Sequence, residues 1–249
     1  MNAAPHSLRV EHLDEALGIR TTAPRLSWRL PDGAREQHAY RITADNDWDT
    51  GWVDSAQSVL VPYAGPPLES SRRVQWRVQV ETDLGESGAS EPAWFETGLL
   101  WAEDWQSSWV EPGVMPEGPA GERPAALLRF EFAVDRPVVS ARLHATAQGM
   151  YEAFLNAERV GDAELTPGFT QYDARLQVQT FDVTASVRQG ANALGVVLAD
   201  GWFRGQNGIT RAAAGVLPTG RVDGDGRDRS RREPGVGVGL VRDRAALDR

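Results

Sequence analysis

Between Arg73 and Glu81 the apolar residues Val74, Trp76, Val78 and Val80 alternate with Arg73, Gln75, Arg77, Gln79 and Glu81. A period of two with one wet face is the pattern of an antiparallel strand laid on a core. Leu26-Ser27-Trp28-Arg29-Leu30 alternates in the same way, and so do Tyr40, Ile42 and Ala44 around Arg41 and Thr43. Turn formers separate these runs: Pro31-Asp32-Gly33, Gly65-Pro66-Pro67 and Leu84-Gly85-Glu86. Short strands about every 10–15 residues predict a β-sandwich of about 100 residues, over 1–100. Trp28, Trp76 and Trp94 stand in strand context and are expected in its core.

Residues 101–124 read as a connector. Trp101, Trp105 and Trp109 are four apart, which places them near one face of a short helix. They could stack on a sugar; packing of the connector onto the sandwiches is the preferred reading, because large aromatics bury much area in a small interface. Glu111-Pro112-Gly113 to Arg123-Pro124 is a Pro/Gly linker. Strand patterning then returns over 125–210. Leu128, Phe130, Phe132 and Val134 alternate, as do Val139, Ala141, Leu143 and Ala145. Tyr151 to Leu155 runs apolar into Asn156. Leu176, Val178 and Thr180 alternate up to Phe181, and Leu194, Val196 and Leu198 form a last run. The expectation is a second β-sandwich of jelly-roll type, and the chain as a whole reads as all-β.

From Arg211 to Arg249 the pattern stops. This tail is rich in Arg, Gly, Asp and Pro and has no aromatic residue, so it is expected to be disordered. Residues 1–210 carry 17 Arg against 29 acids, a net −12; residues 211–249 carry 9 Arg against 6 acids, a net +3; together they give −9. All 26 basic residues are Arg, which suggests GC-rich coding DNA. A flexible extension and a reading-frame error both explain such a tail, and its abrupt start inside a domain favours the second. An acidic body argues against nucleic-acid binding. The chain has no Cys, which excludes disulfides and thiolate chemistry. Its start has no apolar segment of signal-peptide type, and no run of 18 apolar residues exists, which predicts a cytoplasmic protein that does not span a membrane.

Several stretches carry a family resemblance. In the first half they are Leu17-Gly18-Ile19 with Thr22 to Trp28, Val61 to Leu68, Val74 to Val78 and Glu91 to Leu100. In the second they are Tyr151 to Asn156, Arg159-Val160-Gly161-Asp162, Leu165 to Asp173, Gln179 to Thr184 and Asp200 to Gly205. In order and density they resemble the front end of bacterial α-L-rhamnosidases. The resemblance implies a fibronectin-III-like sandwich followed by a carbohydrate-binding-like sandwich. In that family hydrolysis with inversion takes place in a later (α/α)-barrel carrying an acidic pair. Nothing in this chain resembles that barrel. The expectation is therefore a non-catalytic N-terminal part, inactive alone, with an incomplete second sandwich. A rhamnose-containing carbohydrate is the implied partner; no cofactor is required, and calcium is the one ion the resemblance raises. The oligomeric state is left open.

The candidate chemistry is sparse. Inverting hydrolysis needs two carboxylates about 6.5–9.5 Å apart, and neither Glu103/Asp104 nor Asp162/Glu164 has spacing that marks an acid and a base. The best binding candidate is the loop holding Asp200, Trp202, Arg204 and Asn207, which offers an aromatic face and planar polar groups to a sugar. A structural turn with glycines at positive φ and Trp202 in the core explains the same residues. Pro167 to Asp173 is a second loop of this kind. Calcium would need converging oxygens, for which Asn156, Asp162 and Asp173, with Asp200, are the candidates; no EF-hand spacing joins them. His6, His12, His38 and His144 are scattered and support neither zinc nor Ser–His chemistry.

Overall fold

The protein is described by a computed structural model covering residues 3–114, 117–119, 122–172 and 174–205, and the backbone of 236–242. The chain divides into two compact units, Met1–Trp105 and Gln106–Arg249.

The first unit contains β1 (His6–Val10), β2 (Ala16–Ile19), β3 (Arg25–Arg29), β4 (Gln37–Ala44), β5 (Val53–Asp54), β6 (Val61–Pro62), β7 (Arg73–Thr82), β8 (Gly85–Glu86) and β9 (Ala93–Thr97). One sheet has the order β1-β3-β6, and the other β2-β9-β7-β4-β5 with β8 paired to β7. All pairings are antiparallel except β2 with β9, which run parallel. The alternation in β7 holds: Val74, Trp76, Val78 and Val80 are buried. They join Val10, Leu26, Trp28, Ile42, Trp48, Tyr63 and Phe95 in one core. Trp94 departs from expectation. Phe95 takes the inward parity of β9, so Trp94 faces outward, half-buried, with the Arg73 guanidinium 3.9 Å from its ring centroid.

The three spaced Trp do not share a helix. A 3₁₀ turn over Ala102–Asp104 is followed by β10 (Trp109–Val110), and Trp101 and Trp109 are 54% and 50% exposed. The turn is held by tertiary contact: the Ser70 hydroxyl donates to the Asp104 carboxylate, and the Leu100 amide donates to Ser70 at 2.8 Å. Asp104 is thus engaged as a cap and is not one half of an acid pair with Glu103.

The second unit adds β11 (Ala126–Val134), β12 (Ala141–Ala147), β13 (Met150–Leu155), β14 (Glu158–Arg159), β15 (Gln179–Asp182), β16 (Gly190–Ala199) and β17 (Val236–Arg242). Its sheets have the orders β11-β16-β13-β14 and β10-β17-β12-β15, and all pairings in them are antiparallel. Val134, Leu143, Tyr151, Leu155, Leu194, Val196 and Leu198 make its core with four alanines. Val139 and Val178 are exposed and lie outside the strands, so both predicted runs are shorter than their alternation. β17 falls within the stretch expected to be disordered. It pairs with β12 across its whole length and with β10. In Val236-Gly237-Val238-Gly239-Leu240-Val241 the apolar residues Val236, Val238 and Leu240 alternate with other positions, a local signal that the tail's average composition hides. No helix among the described residues is long and apolar enough to cross a membrane.

Candidate functional site

The two loops singled out in the second unit come together. β16 ends at Ala199, and Asp200 leads into one helical turn, α1 (Gly201–Arg204), with the amides of Phe203 and Arg204 donating to the Asp200 carbonyl. Gly201 is required here: its φ is +50°, and a Cβ would lie 2.6 Å from Met150 Cγ. The turn throws Trp202 and Phe203 toward the other loop. Trp202 meets Phe169 edge to face at 5.9 Å between centroids, and Phe203 meets Tyr172 at 5.4 Å. That second loop is anchored at its start. The Tyr151 amide donates to Thr166 O at 2.8 Å, the Thr166 hydroxyl donates to Tyr151 O, and Gln179 Nε2 donates to Pro167 O at 3.2 Å. The Tyr151 hydroxyl donates to Gln179 Oε1 at 2.9 Å, and burial pushes its pKa well up, so it stays protonated.

Asp200 does not reach out to solvent. Its carboxylate is paired with Arg123 Nη1 at 2.7 Å, with both side chains largely buried, and Arg123 Nε donates to Gly118 O at 2.9 Å. The pair ties the Pro/Gly linker to the end of β16. Trp202 is half-buried against Phe169 and is absent from the core, which corrects the expectation that it plugs the core. Arg204 lies half-buried on the same turn. Asn207 lies outside the described residues. The structure thus gathers Asp200, Trp202 and Arg204 with Phe169 and Tyr172, and adds Arg123. A lone Arg in a linker gives no sequence signal of that role. The surface so formed is one exposed ring, Phe169 at 59%, edged by a Trp and an Arg. It can stack on an apolar sugar face.

Of the calcium candidates, those described are engaged elsewhere or exposed. Asn156 sits at φ +52° in the β13–β14 turn with its whole amide committed. Its Nδ2 donates to Ser186 O at 2.8 Å and Asn192 Oδ1 at 2.9 Å, and its Oδ1 accepts from the Ala193 amide at 3.0 Å. Asp162 is exposed, and Asp173 lies outside the described residues. Among the described residues no group of three or more His, Asp or Glu side chains is placed to hold a metal ion. Among the described candidates, Asn156 is a structural hub whose amide is already bonded within the fold. The Arg159-to-Asp162 stretch is structural as well. Gly161, at φ +71°, has Phe181 Cε1 only 2.5 Å from where a Cβ would be, and Arg159 pairs with Glu164 at 3.0 Å and Glu152 at 3.5 Å. Glu164 is therefore engaged with Arg159 rather than opposed to Asp162.

Comparison with known proteins gives these residues a lineage. Residues 5–101 match the family description "Rha78A-like, N-terminal immunoglobulin domain", and residues 136–220 match "Alpha-L-rhamnosidase N-terminal domain". The second match runs ten residues past position 210, where strand patterning ends in the sequence. An alpha-L-rhamnosidase of Formosa agariphila is 33% identical over 226 residues, covering 84% of this chain and 24% of its own length. The chain thus spans about a quarter of that relative. Two solved alpha-L-rhamnosidases have the same fold over 95% of this chain. That of Aspergillus terreus is 34% identical with a TM-score of 0.73 over 26% of its length. That of Dictyoglumus thermophilum is 26% identical with a TM-score of 0.77 over 27% of its length. The chain belongs to the alpha-L-rhamnosidase family, of which it carries the two N-terminal β-sandwich domains.

Proposed function

We propose that these two sandwiches are the non-catalytic N-terminal part of an alpha-L-rhamnosidase, bracing the remainder of such an enzyme and not cleaving rhamnosides themselves. The observation that carries this reading is that both family matches are to N-terminal domains, while about three quarters of the Formosa agariphila relative lies outside the matched part. The test is an assay of the purified chain with a chromogenic α-L-rhamnoside. The expected result is no turnover above the blank; measurable turnover that survives repurification overturns the proposal.

The meeting of Phe169 with Trp202 favours a second reading, weak binding of a rhamnose-bearing carbohydrate at that surface. An exposed ring beside an arginine suits the C–H face and hydroxyls of a sugar. Calorimetric titration with L-rhamnose is expected to give heat that Phe169→Ala abolishes. A chelator is expected to leave that heat unchanged, because among the described residues no group of three or more acidic or His side chains is placed to hold a metal ion. Absence of heat with the unaltered chain leaves the scaffold role alone.

A further inference from the structure

Among the described residues β11 pairs with β16 alone and forms the end of its sheet. Its nine residues pair without a bulge, and it contains no proline or glycine. Natural edges are commonly blunted by such features, and this one is not. Its side chains are unusual as well. Leu128 and Phe132 take the inward parity and pack against the core. Phe130 shares that parity, stacked beside Phe132 at 6.0 Å, yet it remains 63% exposed. On the outer parity Arg129 pairs with Glu131 of the same strand at 2.6 Å, with both side chains about 70% exposed.

The central sequence Leu128-Arg129-Phe130-Glu131-Phe132 is self-complementary when read antiparallel to itself. About a two-fold axis at Phe130, Leu128 lies opposite Phe132 of the second copy, Arg129 opposite Glu131, and Phe130 opposite Phe130. Opposed residues of an antiparallel pair have Cβ atoms about 4.5–5.5 Å apart, so charges of opposite sign attract and rings meet. We propose that the β11 edge is a homodimer interface, in which two copies of this chain pair antiparallel about Phe130 and join their four-stranded sheets into one. The contact is isologous: each cross-pair off the axis occurs twice, and the Phe130 pair on the axis once. The paired strand completes backbone hydrogen bonds, and the opposed Phe130 rings cover the apolar surface that each copy leaves open. One strand pair is smaller than a standard interface, so the dimer is weak and concentration-dependent. The inference does not depend on the accessory role proposed above.

Sedimentation equilibrium of the full chain over about a hundredfold range of concentration tests it. A monomer–dimer equilibrium is expected. Arg129→Glu places Glu opposite Glu at two positions and is expected to weaken dimerisation about tenfold or more. The exchange Arg129→Glu with Glu131→Arg restores opposite charges across the axis and is expected to recover the parent affinity to within about threefold. A monomer at every concentration overturns the proposal, as does a dimer indifferent to Arg129→Glu, or a folded double variant that stays monomeric. If a variant loses its fold, hydrogen exchange of the unaltered chain decides. The β11 amides are expected to exchange more slowly in concentrated than in dilute solution, and equal rates overturn the interface.

Discussion

Trp28, Trp48, Tyr63, Trp76 and Phe95 fill the core of the first unit, whereas Ala141, Ala145, Ala147 and Ala153 line much of the second. In the first, rings meet edge to face: Trp48 with Tyr63 at 4.6 Å and Tyr63 with Phe95 at 5.9 Å. Each large side chain removes much apolar area from water and adds ring-to-ring attraction. An alanine core removes far less per residue. The second unit buries hydrogen-bonded polar side chains along one strand. All seven residues of β12 are buried, its polar Arg142, His144 and Thr146 included. Arg142 pairs with Asp182 at 3.0 Å, His144 Nδ1 lies 3.0 Å from the Thr180 hydroxyl, and Thr146 donates to Gln177 O at 2.7 Å. Buried Asn192 accepts from the Arg188 amide at 2.8 Å and donates to Arg188 O at 2.7 Å. Two sandwiches of similar size thus fill their interiors differently, with large rings in one and with alanines beside a wholly buried strand in the other, while both bury hydrogen-bonded polar side chains.

Three experiments press on that contrast. The largest effect is expected from Trp76→Ala, which opens a cavity in the ring core and costs about 3–5 kcal/mol. In urea denaturation it should lower the transition of the first unit and leave that of the second in place; a joint shift would show that the two cores are not separate. Asn192→Ala comes next. It leaves the Arg188 amide and the Asn156 side chain short of partners in a buried turn, and about 2–3 kcal/mol should be lost from the second unit. A loss below about 0.5 kcal/mol would mean that the polar network contributes little to stability. The smallest effect is that of acid on the first unit. Hydrogen bonds from Arg25 hold Glu11 below its ordinary value, and amides of Arg35 and Glu36 do the same for Asp83. Arg41 holds Asp49 at about 2. Depressed carboxylates stabilise the fold above their unfolded pKa and cease to do so as pH falls through the folded one. The first unit should therefore hold its melting temperature above about pH 4.5 and lose a little of it toward pH 2, less in Asp49→Asn. Asp49 and Asp83 are exposed and Glu11 is only half-buried, so the change is small.

The contrast also marks what the sequence could disclose. Alternation in β7 reveals strand, face and core at once, because inward Val74, Trp76, Val78 and Val80 are apolar and every outward residue is polar. In β9 the run Ala93-Trp94-Phe95 is apolar on both parities, and burial of Phe95 decides which ring faces outward. In β12 the polar parity reads as wet and is buried, a tertiary effect that no local pattern records. The four-residue spacing of the three Trp suggests a helix, yet Asp104 is drawn to Ser70, 34 positions earlier, and the helix stops after one 3₁₀ turn. The candidate loops are legible as loops. Their meeting through Phe169 and Trp202 is not, and neither is the pairing of Asp200 with Arg123, 77 positions away.

The parallel pairing of β2 with β9 bears on how the first sandwich responds to force. These strands lie near opposite ends of its chain but point the same way, side by side. Tension drawn along them slides one strand past the other and stretches their slanted hydrogen bonds together, whereas an antiparallel hairpin can be peeled one bond at a time. Pulled between its ends in an optical trap, the first sandwich should yield abruptly once β2 shears from β9, behaving as a mechanically stiff unit rather than one that unravels strand by strand.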